Sequence, residues 1–167
     1  AETLQRMASR NGFSGRQVAA ALGGRSLFIR EVMFPRMSEA ELRQAIRWDL
    51  DKYVPFSPDQ LYFDFWVTGP GLTEFEVRVL LVAVPRDVTD ALVRVLNRAG
   101  LKPVAIDIEP LAIQRTVPDA TDCMLINSGA AVSQVTLFQN GSPVFTRNIP
   151  IGGNQFTETV MEGFEIG

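Results

Sequence analysis

Asp122-Cys-Met-Leu-Ile-Asn127-Ser-Gly-Ala-Ala131-Val-Ser-Gln-Val-Thr136-Leu-Phe-Gln-Asn140-Gly141-Ser-Pro-Val-Phe145-Thr-Arg-Asn-Ile-Pro150-Ile-Gly-Gly-Asn-Gln-Phe-Thr157 is the stretch that decides the fold. An apolar run, Cys123 to Ile126, meets small residues at Ser128 to Ala131, and a second apolar strand runs from Val132 to Phe138. Asn140-Gly141 then turns the chain into a third strand, Val144 to Ile149. Asn-Gly between apolar runs is a strong short-range hairpin signal, because both turn residues tolerate positive φ. Gly129 lacks the Cβ that would keep an anion away from the backbone, so the bend at Ser128 to Ala131 suits a phosphate, although taken alone the stretch reads first as an ordinary β-hairpin with a small turn. Gly152 and Gly153 open a helix, a second backbone feature able to sit near an anion.

Outward from this stretch, Gln17 to Leu22 reads as a strand, Gly23-Gly24 as a turn and Ser26 to Phe34 as a second strand. Ser38 with Glu41 is a capping box opening a helix that presents Leu42, Ala45, Ile46, Leu50 and Tyr53 on one face. Pro55 and Pro58 end it. Leu61 to Thr68 and Phe75 to Val84 form a hairpin around Gly69-Pro70-Gly71. Asp87 to Ala99 is an amphipathic helix with Val88, Ala91, Leu92, Val95 and Leu96 inward, stopped by Gly100. Val104 to Ile108 is a short buried strand, Pro110 to Thr116 a short helix, and Pro118-Asp119-Ala120 the expected junction between lobes.

The chain begins at Ala1 inside a helical pattern and ends at Gly167 just after another helix has begun, so it reads as a piece of a longer protein. Its 167 residues, 46% hydrophobic, suffice for one or two compact units. A net charge of −3 argues against a nucleic-acid partner, which would require concentrated positive charge. With no histidine, His-based triads, imidazole bases and His metal sites are all excluded. The single Cys123 reads as a small core residue in a reducing compartment. No apolar run approaches the roughly 20 residues of a membrane span, so direct membrane insertion is not expected.

Together the bend, the Asn-Gly turn and Phe145-Thr-Arg-Asn-Ile-Pro-Ile-Gly-Gly-Asn-Gln-Phe-Thr157 resemble the second phosphate motif of the actin-like ATPases, in the FtsA and PilM branch. Ala45-Ile-Arg-Trp48 through Tyr53-Val-Pro-Phe56 supports the same resemblance. It implies an α/β fold: an actin-like, ribonuclease-H-like first lobe with an inserted strand-helix-strand-strand subdomain, then the start of a second lobe. On that plan residues 1–24 and 85–118 belong to the first lobe, 25–84 to the insert and 119–167 to the second lobe. The resemblance also implies a cytoplasmic adaptor of type IV pilus assembly, peripheral to the inner membrane. It would hold the cytoplasmic tail of a PilN-like inner-membrane protein between the insert and the first lobe. The walls of that groove are expected from Ser26 to Phe34 and the Ser38 to Tyr53 helix.

ATP and Mg²⁺ are implied for the full-length protein, with Asn127, Ser128, Gly129, Ala130, Ala131, Gly152 and Gly153 facing the phosphates and Asn127 at the metal. Family members usually carry aspartate where this chain has Asn127, and loss of that charge weakens a site for a hard cation. The piece itself is therefore expected to be inactive, and the whole protein at most a weak ATPase. A nucleotide-free platform subunit, like the cytoplasmic part of GspL, and a phosphotransferase of the sugar-kinase branch are the alternatives. Asp107 and Glu109 could face a nucleotide, although helix capping is the preferred reading of Glu109-Pro110.

Among the aromatics, Trp48 lies off the apolar face of its helix, and cover by a neighbouring element is preferred over a free binding surface. Self-association is expected through the second-lobe strands, with Leu125, Val135, Leu137 and Phe145 partly uncovered.

Overall fold

The structure, a computed structural model, describes residues 1–165 apart from 11, 13 and 118–120, so the expected junction at Pro118 to Ala120 lies outside the described residues. Its elements run α1 (Glu2–Arg10), β1 (Gln17–Leu22), β2 (Phe28–Pro35), α2 (Glu39–Tyr53), β3 (Leu61–Pro70), β4 (Glu76–Pro85), α3 (Arg86–Arg98), β5 (Lys102–Ile108), α4 (Glu109–Gln114), β6 (Cys123–Ser128), β7 (Ser133–Gln139), β8 (Ser142–Ile149) and α5 (Gly153–Phe164). β2 starts later than the apolar run because Gly24, at φ 79°, leads into a 3-10 turn over Gly24–Ser26.

The strands form three small sheets. β1 pairs in parallel with β5, from Gln17 opposite Lys102 to Leu22 opposite Ile108. This joins two segments separated by the whole of β2 to α3. A second, antiparallel sheet has the order β2-β4-β3, and a third the order β6-β7-β8.

The main core lies in the second sheet. Leu42, Ile46 and Leu50 of α2 pack on the sheet face made by Val32, Phe34, Leu61, Val79, Leu81 and Ala83. Phe63 and Phe65 flank this cluster, half-buried. The apolar stripe of α2 recurs every three to four residues, so burying that one face fixes the helix against the sheet. β4, the central strand, is buried on both sides: Leu80 and Val84 point away from α2 yet are also covered. α3 is less sheltered than its periodicity suggests, since Leu96 is buried but Ala91 and Val95 are exposed.

The capping box forms as expected. Ser38 Oγ accepts from Glu41 N, and Glu41 Oε2 accepts from Ser38 N at 2.9 Å and from Ser38 Oγ at 2.6 Å. These bonds to the Ser38 side chain and backbone favour the carboxylate and hold the Glu41 pKa below its ordinary 4.5. A folded-state pKa below the unfolded one stabilises above the unfolded value, and that contribution is lost as pH falls through the folded value. Between about pH 6 and about pH 3, urea denaturation should therefore show a larger loss of stability for the wild type than for Glu41→Gln, whose amide cannot titrate.

In the third sheet the Asn140-Gly141 turn has φ 51° and 74°, the left-handed pair that a two-residue hairpin requires. Asn140 N donates to Asp122 Oδ1 and Gly141 N to Thr121 O, tying the turn back to the chain before β6. The pairing register places Met124, Ile126, Val135, Leu137 and Phe145 on one face and Leu125, Thr136 and Phe138 on the other. Leu125 is buried, contrary to expectation, because it shares the covered face with Phe138. On the first of these faces Met124, Ile126 and Phe145 are exposed, and α5 exposes Phe156, Val160, Met161 and Phe164. An uncovered apolar face beside the single-partner strand β6 favours pairing with a second chain. Light scattering at tens of micromolar should report a dimer or larger species, and Ile126→Lys should return it to monomer.

Candidate functional site

Two regions carry site geometry: the small-residue bend after β6 and a groove along the outer face of the second sheet.

The bend is held against α5. Gly129 N donates to Val132 O at 3.0 Å, closing the bend. Gly153 N and Asn154 N donate to the Gly129 and Ala130 carbonyls at 2.9 and 2.8 Å, and Gly152 N donates to Gln155 Oε1 at 2.8 Å. Gly152 is required by close approach: a Cβ there would stand 2.5 Å from Gly129 O and 2.6 Å from Ala130 O. Ser133 Oγ bridges Ser128 Oγ and the Ile151 carbonyl, closing the same knot.

The structure thus brings the seven expected site residues together. Ser128, Gly129, Ala130 and Ala131 are exposed, while Gly152 is buried beneath them. The fit to a phosphate is partial. Ser128 to Ala131 are exposed, but Gly129 N is already bonded to Val132 O, and an anion at Gly152 and Gly153 would have to displace bonds that the helix already makes to the bend. Asn127 offers a neutral oxygen, and no group of three His, Cys, Asp or Glu able to hold a metal occurs among the described residues.

Glu109 begins α4, as the capping reading has it, with its carboxylate lying over Gly23, where a Cβ would collide with it. Asp107 accepts from its neighbour Ile108 N and pairs with Arg115. Glu109 thus sets the start of α4 against the turn after β1.

The groove runs between the outer face of the β2-β4-β3 sheet and the elements β5 and α4. One part, about 200 Å³, is lined by Asp64, Phe65, Trp66, Leu80, Val82, Ile106, Asp107, Ile108 and Leu111. A second, about 170 Å³, shares Asp64, Val82, Ile106, Asp107 and Ile108 and extends the groove to Leu22, Tyr62, Val84 and Thr89. Strand alternation explains the lining: Tyr62, Asp64 and Trp66 stand opposite Val84, Val82 and Leu80 and share the face turned away from α2. Trp66 is 72% exposed at one end. At the other, Arg86 stacks over Tyr62 at 4.3 Å and Tyr62 Oη donates to Asp90 Oδ1.

The two carboxylates of the groove are each paired with an arginine, Asp64 with Arg43 at 3.0 Å and Asp107 with Arg115. What remains is an apolar trough with locally balanced charge. The walls expected from Ser26 to Phe34 and from the α2 helix do not line it, because α2 covers the opposite face of the sheet. β3 and β4 supply that wall instead.

Trp48 is 75% exposed on the outer side of α2, beside Gln44, Arg47 and Pro58. The expectation that a neighbouring element covers it is overturned among the described residues, because α2 turns only its Leu42, Ile46 and Leu50 face to the sheet.

A small parallel sheet interrupted by a strand-helix-strand-strand insert, followed by a three-stranded sheet with a small-residue bend, is the plan of an actin-like α/β protein. The family model described as "Type IV pilus assembly protein PilM" matches residues 1–167, and this chain belongs to that family. Its fold is similar to a chain of the solved "PilM-PilN type IV pilus biogenesis complex", with TM-score 0.83 and 24% identity over 99% of this chain and 52% of that one. It is also similar to the cytoplasmic domain of EpsL, an inner-membrane component of the type II secretion system of Vibrio cholerae. There the TM-score is 0.66 at 16% identity, covering 95% of this chain and 59% of that one. Cell division protein FtsA of Bacillus subtilis is 29% identical over 92 residues, 53% of this chain and 21% of that protein. The chain thus spans little more than half of these solved structures and a fifth of FtsA. Among the described residues, no helix is long and apolar enough to cross a membrane.

Proposed function

We propose that the protein acts as an actin-like adaptor of type IV pilus assembly and holds the cytoplasmic tail of a PilN-like inner-membrane partner in the groove between β3-β4 and β5-α4. The observation that carries this reading is the apolar trough with paired charges, about 200 and 170 Å³ in its two parts. The likeness of the fold to a chain of the PilM-PilN type IV pilus biogenesis complex supports the choice of partner. Apolar lining with a few placed polar groups favours a short peptide whose alternate side chains are apolar, the pattern by which an extended segment docks along a sheet. Adaptor action through such a groove needs no chemical step.

ATP and Mg²⁺ belong to this proposal as ligands of the longer protein, with the exposed Ser128 to Ala131 bend turned to the phosphates and Asn127 nearest the metal. When bound, the nucleotide would supply binding energy to bias lobe closure. A nucleotide-free platform is favoured by two observations: the neutral Asn127 and the engaged amides of Gly153 and Asn154. The phosphotransferase reading gains nothing comparable.

Calorimetric titration with the synthetic tail of the PilN-like protein from the same source tests the groove. The wild type should bind it, and Trp66→Ala should bind roughly tenfold more weakly, the usual loss for an aromatic anchor. Trp48→Ala, on the far side of the sheet, should bind as the wild type. Equal loss in the two variants would overturn the assignment.

A further inference from the structure

The covered face of the third sheet carries three amides in one row. Pairing places Asn127 of β6 opposite Gln134 of β7, and Gln134 opposite Asn148 of β8. Opposed residues on one sheet face have side chains close enough to interact. Asn148 Nδ2 donates to the carbonyl of Gly24, in the turn between β1 and β2, at 2.9 Å. Gln134 Nε2 donates to Asn148 Oδ1 at 3.1 Å. Gln134 is 4% exposed, and its Oε1 has no partner among the described residues.

We infer that Gln134 and Asn148 form a directional amide latch that fastens the third sheet to the Gly23-Gly24 turn, and that the unpartnered Gln134 Oε1, on the strand position opposite Asn127, makes its direction depend on the hydrogen-bonding character of residue 127. The direction follows from donor and acceptor bookkeeping. The Gly24 carbonyl can only accept, so Asn148 must present its NH₂ there and its oxygen to Gln134. That oxygen requires the NH₂ of Gln134, which turns Gln134 Oε1 toward the β6 side. A buried carbonyl left without a donor is costly, and one facing another acceptor is worse. Asn127 can offer an N–H to that oxygen. A residue that only accepts cannot, and would draw the Gln134 amide around. Gln134 would then present oxygen to Asn148, Asn148 would turn its oxygen toward Gly24 O, and the bond between the two units would break.

The consequence is a mechanical link between the bend after β6 and the turn over which Glu109 lies. It rests on the amide row alone and stands or falls independently of any tail peptide or nucleotide.

Hydrogen–deuterium exchange of the 167-residue chain tests it. The reporter is the segment 24–27, where Leu27 N also donates to Gly24 O. Asn148→Asp, which cannot donate to Gly24 O, should speed exchange there about fivefold, the factor expected for one lost hydrogen bond. Asn127→Asp should produce a rise of similar size from the opposite edge strand of the sheet. Asn127→Leu, which removes the donor without adding an acceptor, should leave the segment near the wild-type rate. Protection of α2 and β4 serves as the folding control, and Asn148→Ser replaces Asn148→Asp if that variant does not fold. Unchanged exchange in the Asn148 variant, or equal exchange in Asn127→Asp and Asn127→Leu, would overturn the latch.

Discussion

Val82→Glu is expected to abolish binding of the partner's tail while leaving the fold intact. Val82 lines both parts of the groove and stands opposite Asp64 on the outer face of the sheet. Glutamate there would set a second carboxylate beside Asp64, which is already paired with Arg43. It would also desolvate a charge wherever an apolar peptide side chain docked. Removing a central contact and adding an unpaired charge should together weaken binding about 100-fold or more. The core cluster of α2 against β2 and β4 lies on the other side of the sheet, so the denaturation midpoint should move little. Calorimetry with the tail peptide gives the first quantity and urea denaturation the second. A variant that binds normally would move the tail elsewhere.

Gly152→Ala should have the largest effect on the bend. The added methyl would stand 2.5 to 2.6 Å from two carbonyl oxygens and 2.7 Å from the Ala130 carbonyl carbon, all backbone atoms that cannot swing aside. Either the helix start or the bend must retreat, breaking the bonds of Gly153 N and Asn154 N to the bend carbonyls. Overpacking of this kind costs about 1–3 kcal/mol, and the upper end is expected because two hydrogen bonds go with it. Thermal unfolding read by circular dichroism measures the loss. Gly153→Ala is the useful contrast, since a Cβ at Gly153 would lie 3.8 Å from Gly129 O, an ordinary contact.

Local chemistry made much of the architecture legible. Asn140-Gly141 announced its own positive φ values, Ser38 and Glu41 their reciprocal bonds, and Leu42, Ile46 and Leu50 the buried face of α2. Each signal lies within a few residues of the structure that it specifies. The parallel pairing of β1 with β5 is different in kind. Nothing in Gln17 to Leu22 names Lys102 to Ile108 as its partner, and the association becomes visible only when α3 carries the chain back.

The lining of the trough is hidden in the sequence for a related reason. Periodicity along Leu61 to Pro70 shows that Tyr62, Asp64 and Trp66 share a face, but aromatics stand on both faces of that strand. Which one α2 covers is decided by Leu61, Phe63 and Phe65 joining the core cluster. The packing of α2 also leaves Trp48 uncovered, which its place off the apolar stripe does not by itself decide. At the bend the residue types were readable, whereas the carbonyl grip on Gly153 and Asn154 was not, because a glycine pair before a helix reads the same whether its amides face an anion or another loop.

The central claim, that the trough between β3-β4 and β5-α4 holds the partner's tail, is tested most directly by methyl NMR. Isoleucine, leucine and valine methyls would be followed as unlabelled tail peptide is added. Perturbation concentrated at Val82, Ile106, Ile108 and Leu111, with Leu42, Ile46 and Ile126 unmoved, is the result expected. Shifts confined to Ile126, Val144 and Val160 on the third sheet and α5, with the trough methyls silent, would contradict it.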